Sequence, residues 1–531
     1  MMHNTPLKNY IQILQHEDLI IENDVSVNIS NDISDNREIT LVTCDSRAVI
    51  PGTLFICKGA HFDVSYLNSA GRSGAVCYIS ETRYDVDIPG IIVSNVRRTM
   101  ALLADFYYGH PSASLALTGI TGTKGKSSTA YFMRSILDDY MMDTCGKRSG
   151  VISSIDTYDG VLDFESHLTT PEPLDLEKHL RNALDSGINY VTMEVSSQAL
   201  KYDRVTNVEL ETAVFLNIGT DHISPAEHVD FEDYFSSKLL IFNHAKNAVV
   251  NIDSKFSDRI ISSAIDAGCQ LYTFSMQDET ADVYAYGVVS KNNGNSFMVS
   301  LSERMVSKYS DSCQSAGKNE NIENSDLAIS LPGRFNVENA LAAITVSLIY
   351  GIPTDYIKSG LKKATVPGRM EVFQSKDKSI TAIVDYAHNQ LSFETLFKTV
   401  QEEYPGHSII AVFGCPGGKA YARRQQLPIA AGRSCDMIYV TEEDAGEEPV
   451  DKISQEIAEN IKVTGCNYDI INDRGDAIRA ALSYSKRPLV ACITGKGRET
   501  RQKRGIQYID CMSDVQYVEE FLADHDNSSM K

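Results

Sequence analysis

One stretch restricts this chain more than any other: residues 114–129, which run from Ser114 to Thr129 through Gly119, Gly122 and Gly125. The apolar run Leu115 to Leu117 reads as a buried strand. Lys126, Ser127, Ser128 and Thr129 then open an amphipathic helix reaching about Tyr140. A strand, a glycine loop and a helix N-terminus form a cradle for phosphate. Glycines let backbone N–H groups approach the oxygens, and the helix dipole favours negative charge. Lys126 is placed to reach outer phosphates, and the Ser127 hydroxyl to sit on Mg²⁺. The general pattern G-x-x-x-x-G-K-[ST] is not met, because Ile120 stands where its first glycine belongs. An ordinary glycine-rich strand–helix turn is the competing interpretation.

At 531 residues the chain exceeds what one hydrophobic core supports, so three domains are expected. Its 43% hydrophobic and 23% charged residues are ordinary for a globular enzyme. No apolar run approaches the roughly eighteen residues of a membrane span. Met1 to Leu14 lacks a basic segment followed by an apolar core, so a cytosolic protein is expected. A net charge of −22 argues against a nucleic-acid partner held by phosphate contacts. The eleven cysteines include no C-x-x-C pair and read as free thiols, mostly buried, in a reducing compartment.

The tighter sequence Thr121-Gly122-Thr123-Lys124-Gly125-Lys126-Ser127 resembles the ATP loop of the Mur ligase superfamily, which includes peptidoglycan-precursor ligases and folylpolyglutamate synthase. The resemblance implies ATP contacts from Gly122, Thr123, Lys124, Gly125, Lys126, Ser127 and Ser128. In residues 1–112, Cys44-Asp45-Ser46-Arg47, Pro51-Gly52-Thr53-Leu54-Phe55 and Gly59 to Asp63 would alone mean a small α/β domain, with further strands at Gly74–Ile79 and Gly90–Val93. Together they look like the UDP-binding N-terminal domain of the UDP-N-acetylmuramoyl-tripeptide synthetases, in which Ser46 would touch the uridine diphosphate. A turn-forming serine is the other reading of Ser46.

Residues 113–366 form the expected central ATP-binding domain. Thr169 and Thr170 precede Pro171, a helix follows over 176–186, and Tyr190 to Ser197 reads as a strand ending in Glu194, Ser196 and Ser197. A carboxylate closing an apolar strand is costly to bury unless it is paired or on a metal. Phe215 to Ile218 reads as another strand, delivering Thr220-Asp221-His222. Ligands of open parallel sheets bind at the carboxyl ends of strands, so the glycine loop, Glu194 and His222 should converge there, as a Mg²⁺–ATP site requires. In the helix expected over 231–242, periodicity alone makes Lys238 a snorkelling surface residue. The resemblance implies instead a carbamylated lysine that holds Mg²⁺ together with Ser127, Glu194 and His222. Of the family's His-Leu-Asp-x-His run, which reads His222 to His228 here, only the first histidine carries over. Residues 307–326 are polar and aperiodic and read as a surface loop or expanded hairpin. Asn336 and Asn339 open a helix, apolar through Leu348, and the resemblance places them near adenine, although Asn336 would also cap the helix.

Residues 367–531 carry Pro367 to Glu371 and Val384 to Asn389, which resemble signatures of the family's third, ligase domain. By that resemblance Arg369, Asp385 and His388 contact ATP. Gln390 stands where the family usually has proline. Strands expected at Ser408–Phe413, Met437–Thr441 and Leu489–Thr494 alternate with helices, giving a second open, Rossmann-like sheet. The fold class implied is α/β, in a three-domain arrangement around a parallel-sheet ATPase.

The resemblance implies an ATP-dependent amide ligase acting on UDP-N-acetylmuramoyl-L-Ala-D-Glu and a free amino acid, as a cytoplasmic monomer. Ser46, Thr169, Thr170, Ser196, Arg204, Asp444, Gly495 and Glu499 would contact these substrates. The departures sit on the amino-acid side. Diaminopimelate-adding members have Asp-Asn-Pro-Arg where this chain reads Glu443-Asp444-Ala445-Gly446, so the arginine for a distal carboxylate is missing. The family's Gly-Lys-Gly-His-Glu appears as Gly495 to Glu499 with Arg498 in place of histidine, and Gln198 replaces the histidine of Ser-Ser-His. Arg423 and Arg424 match the family's loop only loosely. Glu442, Glu443, Asp444, Glu447 and Glu448 make that loop acidic, which either attracts the distal ammonium of lysine or ornithine or is merely a solvated face. The alternatives are another ligase of the superfamily, such as folylpolyglutamate synthase, which lacks the N-terminal domain, and a non-catalytic homologue, which would be expected to have lost Lys126, Glu194 or Lys238.

Overall fold

The computed structural model describes residues 5–24, 37–59, 62–166, 168–219, 227–291, 294–313, 322–323 and 325–528. The chain divides into two compact units. One comprises Met1–Tyr284, Ser300–Ile322 and Glu338–Gly360, the other Ala285–Val299, Glu323–Val337 and Leu361–Lys531.

Beside a two-stranded pair, Thr5–Pro6 with Glu38–Ile39, the first unit contains two larger sheets. The smaller is ordered Ile20–Asn23, Gly90–Val93, Ala75–Ser80, Thr53–Ile56, Leu41–Thr43, and only its first strand is antiparallel. Helices Leu7–His16, Val64–Arg72 and Val96–Tyr108 accompany it. The apolar sets Leu54, Ile56, Cys77, Ile79 and Phe55, Tyr78 point to opposite faces and fill two separate cores, as the period-two alternation of a doubly covered strand requires.

The larger sheet puts the glycine-loop strand, Ala116–Thr121, at its centre. Tyr190–Glu194 lies on one side of it and Leu210–Phe215 on the other, followed by Ala245–Asn251 and Gln270–Ser275, all parallel. Register fixes the site: Glu194 pairs with Ile120, and Phe215 with Thr121. The carboxyl ends of three neighbouring strands therefore stop at one level.

The second unit has, beside the hairpin Arg501–Arg504 with Gln507–Asp510, a six-stranded sheet ordered Glu371–Gln374, Ile380–Asp385, Leu489–Thr494, Ser408–Phe413, Met437–Val440, Asn467–Ile470, parallel except for its first strand. Separate cores cover its two faces, so the doubly wound α/β reading holds.

Three local expectations are corrected. The strand expected at Phe215–Ile218 lies earlier, at Leu210–Phe215. Leu216 and Ile218 are apolar because they are buried beneath the glycine loop, where the Leu216 N–H donates to the Thr121 carbonyl at 3.0 Å. The helix carrying Lys238 ends at Leu239 and tightens into a 3₁₀ turn, Leu240–His244. Part of the polar segment 307–326 belongs to the helix Glu303–Cys313, which buries Met305 and Tyr309 at i and i+4. Residues 314–321 and 324 of that segment lie outside the described residues.

The helix that follows the glycine loop, Lys126–Cys145, is held from behind by Gly360. A Cβ on Gly360 would come within 2.4 Å of the Ile136 Cα and 2.6 Å of its N, and the Ser135 hydroxyl donates to the Gly360 carbonyl at 2.8 Å. Backbone atoms cannot yield as a side-chain tip can. Gly360→Ala should therefore lower stability by about 1–3 kcal/mol in urea unfolding. An unchanged midpoint would show that the helix has room to move.

Candidate active site

Gly125 adopts φ +86° and precedes the first helical residue, Lys126, with no side chain capping the helix. The other helices that begin nearby do have caps, from Ser196 and Asp230. An uncapped N-terminus leaves its first N–H groups available to an anion. A Cβ on Gly125 would also lie 2.2 Å from the Asn339 Oδ1, so only glycine fits. The preceding loop is braced by Asn217. Its carbonyl accepts from the Thr123 N–H at 3.0 Å, its Oδ1 accepts from the Lys124 N–H at 2.9 Å, and its Nδ2 donates to the Lys124 carbonyl at 3.2 Å. The Thr123 Oγ1 accepts from the Gly219 N–H at 2.9 Å.

Two ammonium groups end on this loop. The Lys126 Nζ and the Lys238 Nζ each donate to the Gly122 carbonyl at 3.0 Å, and Lys238 also lies 3.5 Å from the Thr121 Oγ1. Lys238 is only 2% exposed and sits 4.9 Å from the Tyr234 ring centroid, so it does not snorkel to solvent. Beside it, the buried Glu194 accepts from the Ser154 N–H at 2.9 Å and the Ser154 hydroxyl at 3.1 Å, and that hydroxyl lies 3.1 Å from the Ser127 Oγ. Hydroxyl and carboxylate oxygens around concentrated positive charge are a donor set suited to a triphosphate and a hard divalent cation such as Mg²⁺. Ser128 is buried in the first helical turn. His222 lies outside the described residues.

The residues of the central region expected on the substrate side also meet. The Thr170 hydroxyl donates to the Glu194 carbonyl at 3.0 Å and accepts from the Ser196 N–H at 3.0 Å. The Ser196 Oγ caps its helix through the Ala199 N–H at 3.1 Å. The Arg204 Nη1 donates to the Thr170 carbonyl at 3.2 Å, and its Nη2 pairs with Glu172 at 3.0 Å. Thr169 is half-buried on the same segment as Thr170, and Ser46 is half-buried in the turn beyond the strand Leu41–Thr43.

In the second unit, Asp385 accepts from the N–H groups of Met370 at 2.8 Å and Ala387 at 2.7 Å. The His388 Nδ1 lies 2.7 Å from the Tyr386 carbonyl, which can only accept, so the proton is on Nδ1. The Arg369 guanidinium lies 4.8 Å from the Tyr386 ring centroid, and the Tyr386 hydroxyl donates to Glu499 at 2.6 Å. The Asn336 Nδ2 donates to the Pro332 carbonyl at 2.7 Å, a local bond that ties down the turn before its helix.

The profile of the Mur ligase middle domain matches residues 120–347, and that of the Mur ligase glutamate ligase domain matches residues 368–497. A UDP-N-acetylmuramyl-tripeptide synthetase of Bifidobacterium longum is 35% identical over 497 residues, covering 91% of both chains. The chain belongs to the Mur ligase family. A UDP-N-acetylmuramoyl-L-alanyl-D-glutamate–L-lysine ligase of Enterococcus faecalis is likewise 35% identical, over 89% of each chain. In fold, a solved UDP-N-acetylmuramoyl-L-alanyl-D-glutamate–2,6-diaminopimelate ligase superposes with a TM-score of 0.63 at 23% identity, over 94% of this chain and 97% of that one.

Against this Mur ligase background, the acidic loop needs correction as a lure for an ammonium group. Glu442 is bound by Arg504, Glu448 by Arg424, and Asp444 by the Lys496 Nζ at 3.0 Å. Lys496 also reaches Glu499 and the Arg501 carbonyl, so an internal ammonium already occupies the centre of this acidic set. Arg424 is buried between Glu448 and Glu456, and Arg498 pairs with Glu371. The Arg424 pairing is buried, whereas Arg498 stays about half exposed. Sequence reasoning missed Ser154 and Asn217, although each is a polar residue just beyond an apolar strand, Gly150–Ile152 and Leu210–Phe215.

Glu443 stands apart from the paired acids. It is buried, a Cβ on Gly495 would fall 2.3 Å from its Oε2, and burial pushes its carboxyl from 4.5 up to about 7, with Arg474 opposing. A folded-state value above the unfolded one means the native state holds the proton more tightly. Stability is then full below pH 4.5 and declines as pH rises through 7. Glu443→Gln should stabilise the protein by about 2 kcal/mol at pH 8 and by far less at pH 4.5. A gain independent of pH in urea melts would remove Glu443 as the titrating group.

Proposed function

We propose that this Mur ligase couples ATP cleavage to amide-bond formation between UDP-N-acetylmuramoyl-L-Ala-D-Glu and an amino acid, in peptidoglycan precursor synthesis. The observation that carries the reading is the meeting of Lys126 and Lys238 on the Gly122 carbonyl, beside the Ser127–Ser154–Glu194 oxygen set. Thr170 connects that set, through the Glu194 carbonyl, to Ser196 and Arg204. The γ-carboxylate of the acceptor glutamate attacks the γ-phosphorus of ATP, the P–O bond to the β-phosphate breaks, and ADP departs. The amine nitrogen then attacks the acyl carbon, the C–O bond to phosphate breaks, and the amine releases its proton. Such chemistry rests on positioning and charge neutralisation. Lys126 takes up charge on the transferring phosphoryl group, and the loop N–H groups hold its neighbours. Ser127, Glu194, His222 and a carbamylated Lys238 are the residues that would hold Mg²⁺, which supplies further neutralisation. Ser46, Thr169, Thr170, Ser196 and Arg204 orient the nucleotide-sugar peptide. Asn336, Asn339, Arg369, Asp385 and His388 serve the nucleotide, and Asp444, Gly495 and Glu499 the incoming amino acid. The domains are 1–112, 113–366 and 367–531, and the enzyme works in the cytoplasm as a monomer. Among the described residues no helix is long and apolar enough to cross a membrane.

Lysine is the amino acid of choice. This rests on the 35% identity with the L-lysine ligase of Enterococcus faecalis and on Gly446 standing where diaminopimelate-adding members have arginine, not on loop charge. Folylpolyglutamate synthesis is disfavoured by the presence of the small N-terminal sheet.

Phosphate release from ATP, assayed with UDP-dipeptide, folate and a panel of amino acids, tests the reading. Release should require the UDP-dipeptide, and release with folate alone would overturn it. Lys126→Ala should cut release at least about a hundredfold, matching the roughly 2.7–4 kcal/mol lost with one transition-state donor, while leaving the unfolding midpoint unchanged. In kcat/KM, lysine should exceed meso-diaminopimelate by tenfold or more, about 1.4 kcal/mol. The reverse ratio would overturn the amino-acid assignment alone.

A further inference from the structure

The strands Leu41–Thr43 and Thr53–Ile56 are parallel neighbours, with Thr43 opposite Phe55. Continued at that register, Ser46 and Lys58 leave the same carboxyl edge of the small sheet at equivalent positions. Open parallel sheets bind ligands at that edge.

Lys58 does not stand alone there. Its Nζ binds one oxygen of Glu172, and the other oxygen takes the Arg204 Nη2 at 3.0 Å. One carboxylate thus bridges two cations, one from the small sheet and one from beside Thr170. The cluster keeps a net positive charge and unused donors, because an ammonium has three N–H groups and a guanidinium five. Stability is a weak reason for such a cluster. Lys58 and Glu172 are 24% and 28% exposed, and pairs of that kind contribute about 0–1 kcal/mol.

We propose that Lys58 is a substrate-binding residue whose ammonium, held beside Arg204 by Glu172, contacts the diphosphate of the nucleotide-linked substrate. The inference rests on the function proposed above and adds to it a residue from the N-terminal sheet. Kinetics of Lys58→Ala and Lys58→Arg provide the test. Lys58→Ala should raise KM for the UDP-dipeptide about tenfold or more, leave KM for ATP and for the amino acid unchanged, and alter kcat less than threefold. Lys58→Arg, which keeps the charge, should recover most of the affinity. A purely structural lysine would instead lower the melting temperature and move all three KM values together, or none, and either result overturns the proposal. Calorimetric titration with UDP separates this inference from the reading beneath it, because no turnover is needed. If the unaltered enzyme ligates no amino acid, the function falls, yet weaker UDP binding by Lys58→Ala still supports the contact. Equal UDP affinity in both proteins overturns it.

Discussion

Two like charges share one acceptor at the centre of this molecule. With Lys126 and Lys238 each 3.0 Å from the Gly122 carbonyl oxygen, their nitrogens lie within about 6 Å of one another. Like charges at that separation repel one another. The surrounding structure must hold the arrangement against that repulsion. Asn217 fixes the loop from below, and the parallel register of Ala116–Thr121 with Tyr190–Glu194 and Leu210–Phe215 fixes it from both sides. Both side chains take their positions from the backbone of the loop. This is electrostatic organisation established by folding before any ligand arrives.

The glycine loop was legible because its chemistry is local. Gly122, Gly125, Lys126 and Ser127 lie within one turn, and the backbone geometry they require is written in those residues. Glu194 was legible for a related reason, since a carboxylate at the end of an apolar strand needs a partner. Its partner was not legible. Ser154 is forty residues away, and Asn217 ninety-three from Lys124, so only the strand order brings them together. The acidic loop was misjudged on the same grounds. Its neutralising cations, Lys496 and Arg504, lie 52 and 62 residues downstream of Asp444 and Glu442, and no local pattern announces them.

The misplaced strand at Phe215–Ile218 carries a further lesson about burial. Apolar residues were taken to imply a ladder, yet Leu216 is buried by supporting Gly122, at a position where a Cβ on that glycine would meet its Cβ at 3.0 Å. The helix Glu303–Cys313 escaped notice for the opposite reason. Among its described residues only Met305 and Tyr309 are buried, and so sparse an apolar set in a polar run is a thin periodic signal.

The contact between Gly125 and Asn339 ties together two parts of the gene more than two hundred codons apart. The Asn339 Oδ1 occupies the space that any side chain at position 125 would need. Position 125 cannot gain a side chain while asparagine stands at 339. A lineage that placed alanine at 125 would first have to shorten residue 339, and would still carry the cost of a left-handed backbone. The room beside the chain's most local motif is set by a helix far along the sequence.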